Sequence, residues 1–255
     1  MKTYRNLLLL LLIPLLMLVG WYAYATTHDL PPYAPARADF SALFPDTVNA
    51  ANSTTTVSPQ METAKEVDTT AQRILFFGDS MVEGLMGRMD DYAEHNGHQL
   101  TSVVWYSSGT RLWAETDTLQ HFLNEVRPSY VLICLGANQL FARNLQEVDK
   151  EIGSIIARLG TTPYVWVSPP NWKDDTGINE LIIKHVGNER YFDSRHLTLA
   201  RRRDRAHPTA EAAVQWCDTV CSWLSTLQPA HPIRMTRPDT RGHRKSRVIL
   251  LQPVQ

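Results

Sequence analysis

The sequence predicts an α/β domain in which a parallel sheet lies between two layers of helices. Between residues 72 and 227, short apolar runs alternate with helix-length stretches, which is the pattern of repeated strand–helix units. Three of the apolar runs are continuous rather than alternating, as in strands that are buried on both faces. Right-handed crossovers through the intervening helices make such strands parallel and place helices on both faces of the sheet.

Five strands and five helices are expected, in alternation. The predicted strands are Ile74–Phe77, Leu100–Trp105, Tyr130–Leu135, Tyr164–Ser168 and Tyr191–Asp193. The predicted helices lie around Met81–His95, Thr116–Val126, Leu145–Leu159, Ile178–His185 and Thr209–Leu227. The expected arrangement is a three-layer, flavodoxin-like sandwich with a central parallel sheet of about five strands, and such sheets bind ligands beyond the carboxyl ends of their strands.

Composition indicates one folded domain with appendages. The chain has 255 residues, of which 44% are hydrophobic and 20% are charged, so it can bury a core of ordinary size. Its net charge of −1 argues against a protein that binds nucleic acid over its whole surface, and no nucleic-acid partner is expected. The folded domain is expected to span residues 71–227.

Two segments outside this domain are expected to lack regular structure. Residues 26–70 contain scattered prolines and an Asn-Ser-Thr-Thr-Thr run, which is typical of an extended linker. Residues 228–255 contain six Lys or Arg residues and one acid. This composition predicts a basic, disordered tail.

The amino terminus indicates an extracytoplasmic protein. Lys2 and Arg5 precede an uncharged, leucine-rich stretch from Leu7 to Ala25. Residues 1–25 could be a signal peptide cleaved near Ala25 after a small-x-small site, or a membrane anchor close to the ~20 residues that span a bilayer. The length of the apolar run favours the anchor, and both alternatives place the domain in the periplasm or at the cell surface.

The cysteines predict neither a disulfide framework nor a metal site. The three cysteines are Cys134, Cys217 and Cys221, and all are expected to be free, buried thiols. No cluster of His and Cys residues has the spacing of zinc ligands. No metal and no cofactor are therefore expected.

Four loops that follow predicted strands carry polar residues suited to catalysis. The first is Gly78-Asp79-Ser80, a tight turn that places a serine at the start of a helix, where developing negative charge is favoured. A turn of this kind can also be a simple helix cap. The remaining loops are Ser107–Thr110, Gly136–Asn138 and Asp204–Thr209.

These four blocks, in this order, resemble those of the SGNH (GDSL-type) hydrolase superfamily. The resemblance covers residues 72–227 and implies that Ser80 is the nucleophile that forms an acyl-enzyme. It further implies that His207 is the base and that Asp204 orients the imidazole. Asp193, at the end of the fifth predicted strand, is the rival carboxylate.

The resemblance also implies an oxyanion hole. Its donors would be the backbone N–H groups of Ser80 and Gly109 and the side-chain amide of Asn138. The third block of the superfamily reads Gly-x-Asn-Asp, whereas position 139 is Gln here. We expect Gln139 to change local support or substrate contacts while catalysis survives.

Further substrate contacts are expected from position alone. Asp79 and Gln139 lie in or beside two of the four loops, and Asn171 and Trp172 follow the fourth predicted strand. Trp172 is either a platform for a sugar ring or a loop residue packed on the core. Arg111, together with Trp113, follows Gly109 and is open to the same two interpretations.

Three functions are compatible with these residues. The first is an extracytoplasmic serine esterase that acts on O-acyl, especially O-acetyl, groups of a surface or cell-wall carbohydrate; the absence of a long apolar insertion favours small acyl groups. The second is an O-acetyltransferase to a glycan that works with a multi-span membrane acyltransferase. The third is a non-catalytic glycan-binding module, against which the retained Ser80, Asp204 and His207 argue.

Overall fold

The computed structural model describes residues 65–239 and 245–254. They form a three-layer α/β sandwich around a six-stranded, fully parallel sheet with the order β5-β4-β3-β1-β2-β6. The strands are β1 (Arg73–Gly78), β2 (Gln99–Trp105), β3 (Tyr130–Cys134), β4 (Tyr164–Val167), β5 (Tyr191–Phe192) and β6 (Arg247–Leu251). The predicted fold class is therefore confirmed.

Within these residues, six α-helices cover the two faces of the sheet. They are α1 (Met81–Asn96), α2 (Thr110–Glu115), α3 (Thr118–Val126), α4 (Leu145–Leu159), α5 (Ile178–Val186) and α6 (Ala210–Leu224). Helices α1 and α6 pack on one face, and α2 to α5 supply the core on the other. Only α2 was not expected as a separate helix.

The central strand shows why continuous apolar runs predict this architecture. Ile74 and Phe76 belong to the core under α1 and α6, while Leu75 and Phe77 belong to the opposite core. All four side chains are completely buried. Because both faces of the strand are covered, neither can be polar, and the alternation typical of one-sided sheets disappears.

The prediction of a disordered carboxyl-terminal tail is wrong for the described residues of 228–255. Ile233 and Met235 are buried in the core under α1 and α6. Residues Arg247–Leu251 form β6, which pairs in parallel with β2. The prediction rested on the basic residues of this segment and gave no weight to its short apolar run, Val248 to Leu251. That run is long enough to add one strand to the sheet.

A buried carboxylate fixes the start of this sixth strand. Asp90 on α1 accepts hydrogen bonds from the backbone N–H groups of Lys245, at 2.7 Å, and Ser246, at 3.1 Å. The sequence offered no pattern that links positions 90 and 245. The contact arises only when α1 has packed on the sheet.

The folded domain also begins earlier than residue 71. Asp68 forms an isolated parallel bridge with Ile233, and its backbone N–H donates to the Pro232 carbonyl at 2.9 Å. The rest of the expected linker, and the whole of the segment at 1–25, lie outside the described residues. Within the described part of the chain, no helix is long and apolar enough to cross a membrane.

The three cysteines are buried and unpaired by disulfides, as expected. Cys217 and Cys221 lie one helical turn apart on α6, with their sulfur atoms 4.0 Å from each other. Burial holds the pKa of the Cys221 thiol well above its usual value, so this thiol stays protonated and inert.

Candidate active site

Ser80 lies on a tight turn between β1 and α1. The turn passes close to β3, because the Asp79 backbone N–H donates to the Cys134 carbonyl at 3.1 Å. A Cβ atom at Gly78 would lie 1.7 Å from that same carbonyl oxygen. Only glycine allows this approach, which places Ser80 at the carboxyl edge of the sheet.

Ser80, His207 and Asp204 form a continuous chain of hydrogen bonds. The Ser80 Oγ atom lies 2.8 Å from His207 Nε2. On the other side of the ring, His207 Nδ1 lies 2.9 Å from Asp204 Oδ2. This is the arrangement of a nucleophile, a base and a carboxylate that orients the base.

The loop that carries the histidine is folded around Asp204. Asp204 Oδ1 accepts the backbone N–H groups of Ala206, at 2.8 Å, and His207, at 2.9 Å. These two hydrogen bonds, followed by that from the His207 ring, lower the pKa of Asp204 to about 2. The Asp204 carboxylate is therefore ionised at neutral pH. In the same loop, the chain turns at Arg205, whose φ is 60°.

Arg201 fastens this loop to the loop that follows β4. Its guanidinium donates to the Ala206 carbonyl at 2.5 Å and to the carbonyls of Pro170 and Asn171 at 2.9 and 3.1 Å. Partial burial lowers the pKa of Arg201. Sequence reasoning missed this residue, because Arg201 begins a run of three arginines in which nothing marks the first as buried.

Asp79 holds the Ser80 turn and the third loop together. Its carboxylate accepts three backbone N–H groups, from Met81 at 2.9 Å, Gly136 at 3.2 Å and Ala137 at 3.1 Å. The side chain is completely buried, so the expectation that Asp79 contacts substrate is wrong. Burial raises the pKa of Asp79 to about 6, against the opposing effect of the three N–H donors.

Candidate oxyanion donors lie on the second and third loops. Gly109 has an extended backbone and precedes α2, and the Asn138 side chain is exposed and donates to the Ser108 carbonyl at 2.9 Å. Within residues 65–239 and 245–254, no acceptor receives the backbone N–H of Ser80 or of Gly109. Both groups can therefore donate to a bound oxyanion.

Gln139 faces the protein rather than solvent. Its amide makes two hydrogen bonds with Thr110, to the backbone N–H and to the hydroxyl. Of the two roles expected for Gln139, the structure therefore gives it local support. Thr110 lies within a block singled out from the sequence, but its partner on a distant loop could not be inferred.

Asp193 has a different partner from His207. Its carboxylate forms a two-point pair with the Arg195 guanidinium, with distances of 2.9 and 2.8 Å. Although partial burial opposes ionisation, the hydrogen bonds from Arg195 lower the pKa of Asp193. The arrangement is a structural ion pair on the 3₁₀ turn that follows β5.

The two residues singled out after Gly109 have separate environments. Trp113 is fully buried, donates to Ser108 Oγ at 3.0 Å and packs against the rings of Phe77 and Trp105. It is a core residue that supports the second loop. Arg111 is exposed and pairs with Glu115 one helical turn away, at 2.9 Å.

Asn171 and Trp172 lie in the loop tied down by Arg201. The Asn171 side chain is hydrogen bonded to Asp175 and Asn179, so it mainly shapes this loop. Trp172 is half-buried and meets the Phe141 ring edge-on, with 5.4 Å between ring centroids. Phe141 was not singled out from the sequence, although it follows Asn138 by three residues and is 49% exposed.

The described residues hold no group of three or more His, Cys, Asp or Glu side chains placed to bind a metal ion. No protein-family model matches the chain, and no curated protein and no solved structure matches it. The fold and the site thus define a three-layer α/β protein with a Ser–His–Asp hydrogen-bonded chain at the carboxyl edge of its sheet.

Proposed function

We propose that this protein is a serine esterase, of the SGNH hydrolase type, that removes small O-acyl groups from a carbohydrate. One observation carries the proposal, the continuous chain from Ser80 through His207 to Asp204. A serine hydroxyl is a weak nucleophile at neutral pH unless a base within hydrogen-bond reach takes its proton. Each of the two required hydrogen bonds is already formed in the free protein.

The proposed reaction proceeds in two steps. Ser80 Oγ attacks the ester carbonyl while its proton passes to His207 Nε2, and the C–O bond to the alcohol breaks as the imidazolium returns that proton to the leaving oxygen. Water then attacks the acyl-serine with His207 again acting as base, which releases the carboxylic acid and restores Ser80. The ionised Asp204 stabilises the imidazolium in both steps.

The oxyanion formed in each step would be stabilised by three donors. These are the backbone N–H groups of Ser80 and Gly109 and the exposed amide of Asn138. Loss of one such donor typically lowers the rate by ~10²–10³. The donors lie on three different loops, so their effect depends on how firmly those loops are held together.

The openness of the site favours a small acyl group on a large polar molecule. The side chains of His207 and Asp204 are 31% and 47% exposed, so the chemistry takes place near the protein surface. An extended polymer can reach such a site, whereas a long acyl chain would find little apolar cover there.

Aromatic residues at the same edge favour a carbohydrate. Trp172 and Phe141 meet edge-on beside Lys173, whose ammonium lies 5.4 and 5.9 Å from the two ring centroids. The carbonyl before Trp172 and the carbonyl before His207 bind the same Arg201 guanidinium. The aromatic pair therefore lies next to the histidine loop, where it can stack on a sugar ring.

The proposal is tested by turnover of the purified full-length protein in detergent. A chromogenic acetyl ester and an O-acetylated oligosaccharide are supplied, and the release of chromophore and acetate is measured. We expect acetyl esters to be cleaved faster than octanoyl esters, and Ser80→Ala to abolish both reactions. Ser222→Ala, an exposed serine on α6, serves as the matched control and should retain activity. An inactive wild type, or an active Ser80→Ala, would contradict the proposal, while acetyl transfer to added sugar would assign the protein as an O-acetyltransferase.

A further inference from the structure

Two hydrogen bonds to Thr110 fix the orientation of the Gln139 side-chain amide. Gln139 Oε1 accepts the Thr110 backbone N–H at 2.8 Å, and Gln139 Nε2 lies 2.7 Å from Thr110 Oγ1. A backbone N–H can only donate, so the amide oxygen must face it and the amide nitrogen must face the hydroxyl. Nε2 is consequently the donor to Thr110 Oγ1.

The Thr110 hydroxyl connects Gln139 to Glu151 on α4. Having accepted from Gln139, it donates its own hydrogen to Glu151 Oε2 at 2.5 Å. Thr110 is completely buried, and a hydroxyl that both accepts and donates in a buried position has a fixed orientation. Gln139, Thr110 and Glu151 thus form a relay of hydrogen bonds from the third loop to the body of the domain.

The relay encloses Gly109. A Cβ atom at Gly109 would lie 2.9 Å from Gln139 Cδ and 3.0 Å from Gln139 Oε1, so the flat amide lies against the glycine. The Asn138 amide in turn donates to the carbonyl of Ser108, the residue before Gly109. The peptides before and after Gly109 are therefore each tied to the loop that carries Asn138.

The acid at Glu151 explains why an amide occupies position 139. A carboxylate at this position could still accept the Thr110 N–H, but its second oxygen would compete with Glu151 for a single hydroxyl hydrogen. Two anions would then face one hydroxyl, and one of them would remain unpaired in a partly buried place. An amide supplies the missing donor.

We propose that Gln139 is a positioning residue that, with Thr110 and Glu151, fixes the Gly109 N–H as an oxyanion donor in register with Asn138. This inference rests on the proposed esterase function. It adds a role for Gln139, which stands where the third block of the SGNH superfamily has an aspartate. Gln139 acts through Gly109 and does not itself touch the ester.

The relay can be broken and then rebuilt with opposite polarity. Gln139→Glu removes the donor to Thr110, and Glu151→Leu removes the acceptor. Glu151→Gln keeps an amide oxygen that can still accept the hydroxyl hydrogen. The double variant combines Gln139→Glu with Glu151→Gln. In the double variant, Thr110 would donate its hydroxyl hydrogen to residue 139 and accept one from residue 151, so every group again has a partner. Simple structural damage at the two sites would add, whereas this relay predicts rescue.

The experiment compares wild type, the single variants Gln139→Glu, Glu151→Leu and Glu151→Gln, and the double variant Gln139→Glu with Glu151→Gln, all in full-length protein. The kcat and KM for a chromogenic acetyl ester and the rate of labelling by a fluorophosphonate are measured, with thermal unfolding as a check on folding. We expect Gln139→Glu to lower kcat and the labelling rate by ~10–10²-fold, since misplacement by about 1 Å costs on this order, with KM changed less than about twofold. Glu151→Leu should follow in the same direction, whereas Glu151→Gln and the double variant should both stay within about threefold of wild type.

Several results would overturn the proposal. If Gln139→Glu acts on KM alone, residue 139 contacts substrate instead. If the double variant is no more active than Gln139→Glu, the two residues are not coupled through Thr110. If Gln139→Glu fails to fold, an unchanged kcat in Glu151→Leu overturns the proposal by itself. An inactive wild type would contradict the proposed esterase function. An active wild type whose variants are all unaffected would contradict only the role of Gln139.

Discussion

The orientation of His207 depends on one carboxylate, and the protein offers two candidates. Asp204 reaches the imidazole by a turn of three residues and accepts two backbone N–H groups of the same loop. Asp193, at the end of β5, is held by the Arg195 guanidinium. The two aspartates are both partly exposed and both have lowered pKa values, which makes them a matched pair.

We predict that Asp204→Asn lowers turnover of an acetyl ester by up to ~10⁴, because the base loses its orienting carboxylate. Asp193→Asn should leave kcat within about threefold and reduce the free energy of unfolding by about 1 kcal/mol or less, as expected for a largely solvated ion pair. Steady-state kinetics and urea unfolding of both variants check this. A larger loss of turnover in Asp193→Asn would reverse the assignment.

Asp79 gives a pH dependence of stability with a definite sign. Its pKa is about 6 in the folded protein against an ordinary value of 3.8, so between these values the folded state binds more protons than the unfolded state. The stability that this group contributes is present below pH 3.8 and is lost as pH rises through 6, by up to about 3 kcal/mol.

We therefore predict that the difference in unfolding free energy between wild type and Asp79→Asn depends on pH. Relative to the variant, wild type should become less stable as pH rises from 4 to 7, because only wild type carries the titrating carboxyl. Urea unfolding at half-unit steps of pH measures this difference. A difference that stays constant, or that changes in the opposite direction, would contradict the assigned ionisation of Asp79.

At the scale of elements, β6 is the part of the sheet that the sequence did not reveal. It pairs with β2 from Thr101↔Arg247 to Trp105↔Leu251. Ile249 packs against the core on the α2 to α5 side, whereas neighbouring Leu250 is 49% exposed on the other face of the strand. Both side chains are aliphatic and of equal size, so the two positions differ mainly in burial.

We predict that Ile249→Ala destabilises the protein by about 1–2 kcal/mol, less than a fully buried site because Ile249 is only partly covered. Leu250→Ala should change the free energy of unfolding by no more than about 0.5 kcal/mol. Chemical unfolding monitored by tryptophan fluorescence measures both. Equal effects would mean that β6 does not pack on the sheet as described.

The sequence predicted the elements whose signals are local. Continuous apolar runs identified β1, β3 and β4, and the polar loops after the strands identified Ser80, Gly109 and Asn138. It did not predict Arg201 or the pairing of Asp90 with the start of β6, because those depend on which side chains meet after packing. Asp79 was expected to contact substrate because it is a polar residue beside the candidate nucleophile, and its burial could not be known from the sequence.

At the scale of the whole molecule, the domain is expected to lie outside the cytoplasm, carried there by the segment from Leu7 to Ala25. Lys173 is exposed and the Lys184 side chain is 63% exposed, so both can react with an amine-reactive label. In spheroplasts treated with a membrane-impermeant reagent, we predict modification of these lysines and none of a cytoplasmic marker. Unlabelled lysines in intact spheroplasts that become labelled after lysis would contradict this location.

The central claim is that Ser80 is an activated nucleophile, and covalent labelling tests it most directly. A fluorophosphonate reacts with a serine whose proton is taken by a neighbouring base, and the adduct is read by mass spectrometry without knowledge of the natural ester. We predict one label per wild-type molecule, located on Ser80, with labelling abolished in Ser80→Ala and retained in Ser222→Ala. Labelling that persists in a folded Ser80→Ala, or a wild-type protein that takes no label, would contradict the claim.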